Sequence, residues 1–160
     1  MTKSTPGSVR FESVVKKFGE VTALKSLDLT IDPGQLVTLL GPSGCGKTTT
    51  LRLIAGLEMA SAGKIHIGGI EVTHLTATYR KVSMVFQSYA LFPHMTVGEN
   101  IAYGLKVKSM PKAEAAEKAE HGLDLVGLTG FGDRLPSELS GGQQQRVAVA
   151  RAIVLEPEVL

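Results

Sequence analysis

The sequence has no tryptophan, a single cysteine, and aromatic residues at only 5% of its 160 positions. One thiol, Cys45, cannot form an internal disulfide. It fits a reducing compartment, so the cytosol is the expected setting. No segment approaches the roughly 20 apolar residues that a membrane-spanning helix needs. The opening MTKSTPGS also lacks the apolar stretch of a signal peptide. Any membrane association is therefore expected to run through a partner protein. An excess of charge is missing too: 17 basic against 15 acidic residues give a net +2. That balance argues against a nucleic-acid partner or a membrane-surface patch. The four histidines, His66, His74, His94 and His121, show no metal-ligand spacing.

What is there is ordinary globular material, 43% apolar and 20% charged, enough for one domain with a real core. Residues 1–8 are polar and turn-rich and read as a frayed, disordered tail. VRFESVV and SLDLTID alternate apolar and polar residues, predicting half-buried strands of an antiparallel sheet, with a turn at Pro33-Gly34. LVTLL, Leu36 to Leu40, is almost continuously apolar, as expected of a strand buried on both faces of a parallel sheet. A helix follows Lys47, with Leu51, Ile54 and Ala55 at helical spacing and Gly56 as its C-cap. KIHIGGIEV predicts a hairpin about Gly68-Gly69, and KVSMVFQ a second buried strand ending at Gln87. Beyond it the pattern turns helical. A capping box at Thr96 and Glu99 opens one helix with Val97, Ile101 and Leu105 on one face. A second helix starts near Pro111, places Ala116, Ala119, Leu123 and Val126 on one stripe, pairs Glu114 with Lys118 and stops at Gly127. A third starts at Ser140 and ends before Pro157.

Two stretches carry chemistry. In GPSGCGKTTT, residues Gly41, Gly46, Lys47 and Thr48 fit G-x-x-x-x-G-K-[ST], between an expected buried strand and an expected helix. Glycine loses more backbone entropy on folding than any other residue, so three of them close together need a reason. A phosphate supplies one. The glycines let backbone N–H groups from Ser43 to Thr48 turn inward around phosphate oxygens, where the helix end adds roughly half a positive charge. Lys47 then reaches the β- and γ-phosphates, and the Thr48 hydroxyl ligates Mg²⁺. A glycine turn that merely lets helix and strand pack is the plainer alternative. Cys45 in this loop is either a small filler or a thiol activated by the helix N-terminus. The other stretch, LSGGQQQR, repeats the idea without a lysine. Ser140 and Gln143 form a second capping box, and Gly141-Gly142 strip side chains from the first turn. Its plainer alternative is a capped helix with Val147, Ala150 and Val154 packed inward. Capping alone would not require two glycines at a cost of about 1 kcal/mol each.

Taken together, GPSGCGKTT and LSGGQQQRVAVARAI resemble the ATP-binding subunit of an ABC transporter, over nearly the whole chain. The intervening MVFQSYALFPHMTVGENIAYGL resembles that family's Q-loop region. The closest flavour is that of importer subunits for polyamines, iron, phosphonates or sugars. The resemblance implies an α/β fold, a P-loop NTPase (RecA-like) core with an antiparallel β subdomain and a helical subdomain of about residues 89–155. It implies ATP and Mg²⁺ as cofactors. Two such subunits pair head to tail, with each nucleotide between Gly41, Pro42, Ser43, Gly44, Cys45, Gly46, Lys47, Thr48 and Thr49 of one copy and Ser140, Gly141, Gly142 and Gln143 of the other. Ser140 and Gly142 would touch the γ-phosphate, and Gln87 would approach Mg²⁺ and the attacking water. Phe18 matches the adenine-stacking aromatic, with core packing as its alternative role. Tyr89, Leu91, Phe92 and Pro93 would form an apolar docking surface for a membrane permease. A solute-binding protein would be an indirect partner, and the location peripheral, on the cytoplasmic face of the membrane. Lys16, Lys17, Arg80 and Lys81 read as a solvated charged face.

The family's Asp and Glu at the end of the next apolar strand, and its later switch histidine, have no counterpart before Leu160. Glu156 and Glu158 precede that run and are poor substitutes. The sequence thus reads as an N-terminal fragment in which residues 9–160 are an ATP-binding domain truncated before the later core strands, expected alone to bind ATP weakly at best and not to hydrolyse it. An exporter subunit, or a non-hydrolysing ATP-binding product, are the nearer alternatives. A DNA-repair or chromosome-structure ATPase would separate its two motifs by long insertions, whereas Lys47 and Ser140 lie only 93 residues apart with no sustained heptads.

Overall fold

A computed structural model describes residues 7–160, so residues 1–6 of the expected tail lie outside the described residues. Two compact units are present, one running to Val82 and including Val159, the other Ser83–Glu158 with Leu160.

In the first unit, alternation along the chain produces the expected antiparallel pair, longer than anticipated: β1 (Val9–Phe18) and β2 (Val21–Ile31). Their register runs from Val9 opposite Ile31 to Phe18 opposite Val21, with irregularities where Ser13 and Ser26 adopt left-handed φ. Pro33-Gly34 forms the turn after β2. The other edge of β1 pairs with β3 (Ala62–Ile67), which turns into β4 (Ile70–Glu71), giving the order β2-β1-β3-β4. Ile67 faces Ile70 across Gly68 and Gly69, whose φ values of 58° and 80° are those of a type I′ hairpin turn. Inward residues Val9 and Phe11 of β1 and Ile65 and Ile67 of β3 form one apolar cluster with Leu53 and Ile54 of α1 (Lys47–Ala55). Each contributes about 1.5–3 kcal/mol by burial. Leu51, expected on the inner stripe, points outward, and Leu53 takes its place.

The charged face behaves differently from its expectation. Lys17 and Lys81 are exposed, but Lys16 and Arg80 keep only 9% and 6% of their surface. Arg80 closes the C-terminal end of α1: Nη1 donates to the carbonyls of Leu53 (2.5 Å) and Ile54 (3.0 Å), and Nε to that of Leu75 (2.8 Å). The last carbonyls of a helix have no partner within it, and they gather at the negative end of its dipole. A buried guanidinium answers both needs, although burial lowers its pKa.

Two further expectations fail. Leu36–Leu40 forms no strand, and Leu36 and Leu40 are 99% and 87% exposed. KVSMVFQ contributes only Val82, through a single parallel bridge to Val159. A strand that is apolar on both faces needs ladder partners at its edges and cover above and below. Among the described residues Leu36–Leu40 has no ladder partner, so its composition alone does not order it.

The second unit is helical. α2 (Val97–Val107) opens with the expected capping box: Thr96 Oγ1 accepts from the Glu99 amide (3.2 Å), and Glu99 Oε2 from the Thr96 amide (3.0 Å). α3 (Lys112–Leu125) has Pro111 as its N-cap and Gly127 in left-handed conformation just beyond it. Its buried stripe is Ala115, Ala119, Gly122 and Leu123. Ala116 is exposed, one position off the expected face. Lys118 pairs not with Glu114 but with Glu156, at 2.8 Å. α4 (Gly141–Ile153) packs Val147, Ala150 and Val154 against Val97, Ile101, Leu105 and Leu123, as the periodicity implies.

Candidate functional site

The first component of the site is the N-terminal end of α1. Its N-cap is Gly46, with φ 95°, and no side chain caps the helix. A first turn without a side-chain acceptor leaves backbone N–H donors facing outward at the positive end of the dipole. Ahead of it, Gly41 (φ 155°) and Gly44 (φ 81°) bend the chain, and the Cys45 amide closes a turn on the Pro42 carbonyl at 3.4 Å. A Cβ at Gly44 would meet nothing, whereas one at Gly46 would press on the Ala23 carbonyl (3.1 Å) and Leu24 (3.2 Å) of β2. Gly46 is thus a packing requirement as well as a turn, and it ties the loop to β2. Cys45 is exposed and free.

Lys47 folds back over this loop. Its ammonium donates to the carbonyls of Gly41 (2.6 Å) and Pro42 (2.8 Å) and lies 3.5 Å from Cys45 Sγ. A neutral carbonyl is a weaker partner for an ammonium than a phosphate oxygen, so an arriving anion would draw it away. Thr48 is exposed and Thr49 half-buried, while Thr50 turns inward to the Gly46 carbonyl (3.0 Å). Uncapped donors, bending glycines and an ammonium resting only on neutral carbonyls are groups that suit a triphosphate. Among the described residues no three His, Cys, Asp or Glu form a group that could hold a metal ion.

Phe18 sits at the hairpin end of β1. It is 46% exposed, which excludes core packing, and the Lys16 ammonium lies 4.5 Å from its ring centroid. Lys16 is opposite Leu24 in the β1–β2 register, and Leu24 abuts the loop at Gly46. Phe18, two residues further, is thus roughly 7 Å along the strand from that contact.

The second unit holds the other expected residues. Ser140 caps α4, with Oγ accepting from the Gln143 amide (3.3 Å) and Gln143 Oε1 from the Ser140 amide (2.8 Å). Gly141 and Gly142 face open space, since a Cβ at either would meet nothing within 4 Å. Their smallness therefore serves no packing within this chain. Gln87 is exposed in the turn that follows Phe86. The apolar loop after it is only partly open: Pro93 is exposed, whereas Tyr89, Leu91 and Phe92 are half-buried.

Two residues that hold this loop were not visible in the sequence. Arg151 of α4 donates to the carbonyls of Tyr89 (2.9 Å) and Ala90 (2.8 Å), both left-handed at φ 60° and 48°. Burial lowers its pKa. Asn100 of α2, fully buried, accepts from the Phe92 amide (2.8 Å) and donates to the carbonyls of Phe92 (3.1 Å), Met95 (3.1 Å) and Thr96 (2.9 Å). Partners 61 and 62 residues apart leave no local signature.

A glycine loop opening an uncapped helix, with a second glycine-rich helix start in a helical unit, defines a P-loop nucleotide-binding cassette. The chain belongs to the ABC transporter family, whose model matches residues 24–160. It is 70% identical over all 160 residues to the Fe(3+) ions import ATP-binding protein FbpC of Brucella abortus (strain 2308), and spans 45% of that protein's length. It is 70% identical over 155 residues, 97% of this chain, to the FbpC protein of Agrobacterium fabrum, spanning 44% of its length. Among solved structures it resembles the dimeric, post-hydrolysis state of the ATP-binding cassette MJ0796 bound to ADP and Pi. The TM-score there is 0.82 with 36% identity, covering 93% of this chain and 70% of that one. The fold class is accordingly that of an ABC ATPase cassette. No described helix is long and apolar enough to cross a membrane.

Proposed function

We propose that this chain binds ATP at Gly41–Thr49 and belongs to an ATPase subunit that drives import of ferric ions. The observation that carries the reading is the uncapped N-terminus of α1 inside a glycine loop, with the Lys47 ammonium resting on two neutral carbonyls. The amides of Ser43 to Thr48 surround the β-phosphate, Lys47 moves to the β- and γ-oxygens, and Phe18 stacks on the adenine. Thr48 and Gln87 would hold Mg²⁺, which when bound neutralises charge on the phosphates.

The glycines at the start of α4 fit a second half of the same site. A helix N-terminus whose first turn has no side chains, and nothing of its own chain above it, suits the γ-phosphate of a nucleotide held by a second copy. Ser140, Gly141, Gly142 and Gln143 take this role in a head-to-tail homodimer. The dimeric state of the solved MJ0796 cassette supports that arrangement.

The partner on the membrane side is an integral permease, which places the subunit peripherally on the cytoplasmic face. The loop Tyr89–Pro93 is the docking surface, held in shape by Arg151 and Asn100. A groove of about 350 Å³ beside it, lined by Met95, Glu99, Tyr103, Lys106 and Val107, extends the apolar surface. The names of the relatives supply the cargo, and a solute-binding protein would deliver it from outside. Residues 9–160 form the nucleotide-binding part, with about 89–155 as its helical subdomain.

Lys47→Ala tests the reading by calorimetric titration with ATP. Charged hydrogen bonds contribute about 1.5–3 kcal/mol, so affinity should fall about 10- to 150-fold. Unchanged affinity would remove Lys47, and the loop with it, from the site.

A further inference from the structure

We propose that Lys16 is a positioning residue for the nucleotide base, acting through Phe18; the proposal rests on the reading that Phe18 stacks on adenine. A lysine in the middle of an alternating strand is ordinarily a solvated side chain. Here it is nearly buried and its ammonium is held on three sides. Nζ donates to the Met59 carbonyl at 2.9 Å, pairs with Glu58 Oε2 at 2.9 Å, and lies 4.5 Å from the Phe18 ring centroid. An ammonium has three N–H donors, and the two anchored on the segment after α1 leave the third side for the ring.

The consequence is a fixed, one-sided aromatic platform. Across the hairpin Phe18 faces Val21, which is itself exposed, so the Lys16 ammonium is the polar group that orients the ring. The cation occupies one face of the ring, so the surface that water still reaches is the other face and the edge. A cation over one face draws π-electron density toward itself, which favours an electron-rich heteroaromatic base on the opposite face. Fixing the ring beforehand also removes part of the ordering cost that stacking would otherwise carry. Lys16 is paired in register with Leu24, and Leu24 stands where a Cβ at Gly46 would press, so the platform and the phosphate loop adjoin the same β1–β2 hairpin.

A merely structural ion pair would not distinguish ligands with a base from ligands without one. The test therefore compares ATP with inorganic tripolyphosphate by calorimetry, in the wild-type protein, Phe18→Ala, Lys16→Gln, Lys16→Arg and the double variant Lys16→Gln/Glu58→Gln, which preserves the net charge of the pair. Base–aromatic stacking sets the scale for Phe18→Ala, a loss of ATP affinity of about five- to hundredfold. Lys16→Gln and the double variant should each lose about three- to tenfold for ATP. Tripolyphosphate binding to the double variant should be unchanged, and Lys16→Arg should restore ATP affinity. If Phe18→Ala weakens ATP while the double variant does not, or weakens both ligands equally, the proposal fails and the stacking reading stands. If Phe18→Ala changes nothing, the stacking reading fails and takes the proposal with it. Should Lys16→Gln not fold, Glu58→Gln loosens the ammonium without deleting it. ATP affinity should then fall at least twofold at constant tripolyphosphate affinity, and an unchanged ATP affinity overturns the proposal.

Discussion

Asn100→Ala probes the loop after Gln87 most sharply. The amide side chain meets four partners: Oδ1 accepts from the Phe92 amide, and the two N–H groups of Nδ2 are shared among the carbonyls of Phe92, Met95 and Thr96, about three bonds' worth in all. At about 0.5–1.5 kcal/mol net for each, with water recovering part of the loss at the half-open Phe92 and Met95, the variant should cost about 2–4 kcal/mol. A chain of this size loses about 2–4 °C of melting temperature per kcal/mol, so the midpoint should fall by about 4–16 °C. Asn100→Asp separates hydrogen bonding from volume. Its carboxylate keeps the acceptor for the Phe92 amide but turns negative oxygens toward three carbonyls. It should therefore be no better than alanine despite its near-identical shape. Differential scanning calorimetry of the three proteins at pH 7 reads both effects. An alanine variant within 0.5 kcal/mol of wild type, roughly the size of an ordinary surface change, or an aspartate variant as stable as asparagine, would refute the role assigned to Asn100.

Two other perturbations address different parts of the molecule. Gly142→Ala places a methyl group in open space on a helix, so stability should hold or rise by up to about 1 kcal/mol. The same methyl would obstruct the nucleotide of a second copy, and sedimentation should show ATP-dependent self-association lost; association that survives would argue against α4 as a phosphate site. The Lys118–Glu156 pair predicts a pH dependence. The hydrogen bond from Lys118, and then its charge, hold the Glu156 carboxyl below its ordinary value, while Glu156 raises Lys118 by the same contacts. The carboxylate's contribution is present above its unfolded pKa and fades as pH falls through the depressed folded value. The ammonium's contribution is present below its ordinary pKa and fades as pH rises through the elevated one. Glu156→Gln should therefore flatten the acid limb of the stability profile, and identical limbs in the two proteins would contradict the pairing.

Features written in neighbouring residues were legible in the sequence. The capping boxes at Thr96 and Ser140 need only positions three apart, and the Gly68-Gly69 turn needs two residues of unrestricted φ. The α1 loop likewise declares its glycines and lysine directly. Features that depend on distant partners were not legible. Leu36–Leu40 carries the composition of a buried strand, but a ladder requires partners that composition cannot supply. Lys16 and Arg80 look like surface charge because a charged side chain gives no local sign of the carbonyls it will meet; those of Met59, Leu53 and Ile54 lie 26 to 43 residues away. Lys118 had an acceptable partner one turn earlier at Glu114, yet Glu156 lies 38 residues later and wins. Arg151 was invisible for the same reason, its partners lying 61 and 62 residues away, whereas Asn100 meets carbonyls only four to eight residues back and was missed because an asparagine inside a helix reads as solvated; both shape the loop that follows Gln87.

The most direct measurement follows the backbone amides of Gly41 to Thr49 and the Lys47 ammonium by NMR during titration with Mg²⁺ and a non-hydrolysable ATP analogue. The largest shifts should fall on Ser43 to Thr48, with the Lys47 ammonium leaving the carbonyls of Gly41 and Pro42. Saturating analogue that leaves those amides unmoved, or moves a different set, would contradict a phosphate site at the head of α1.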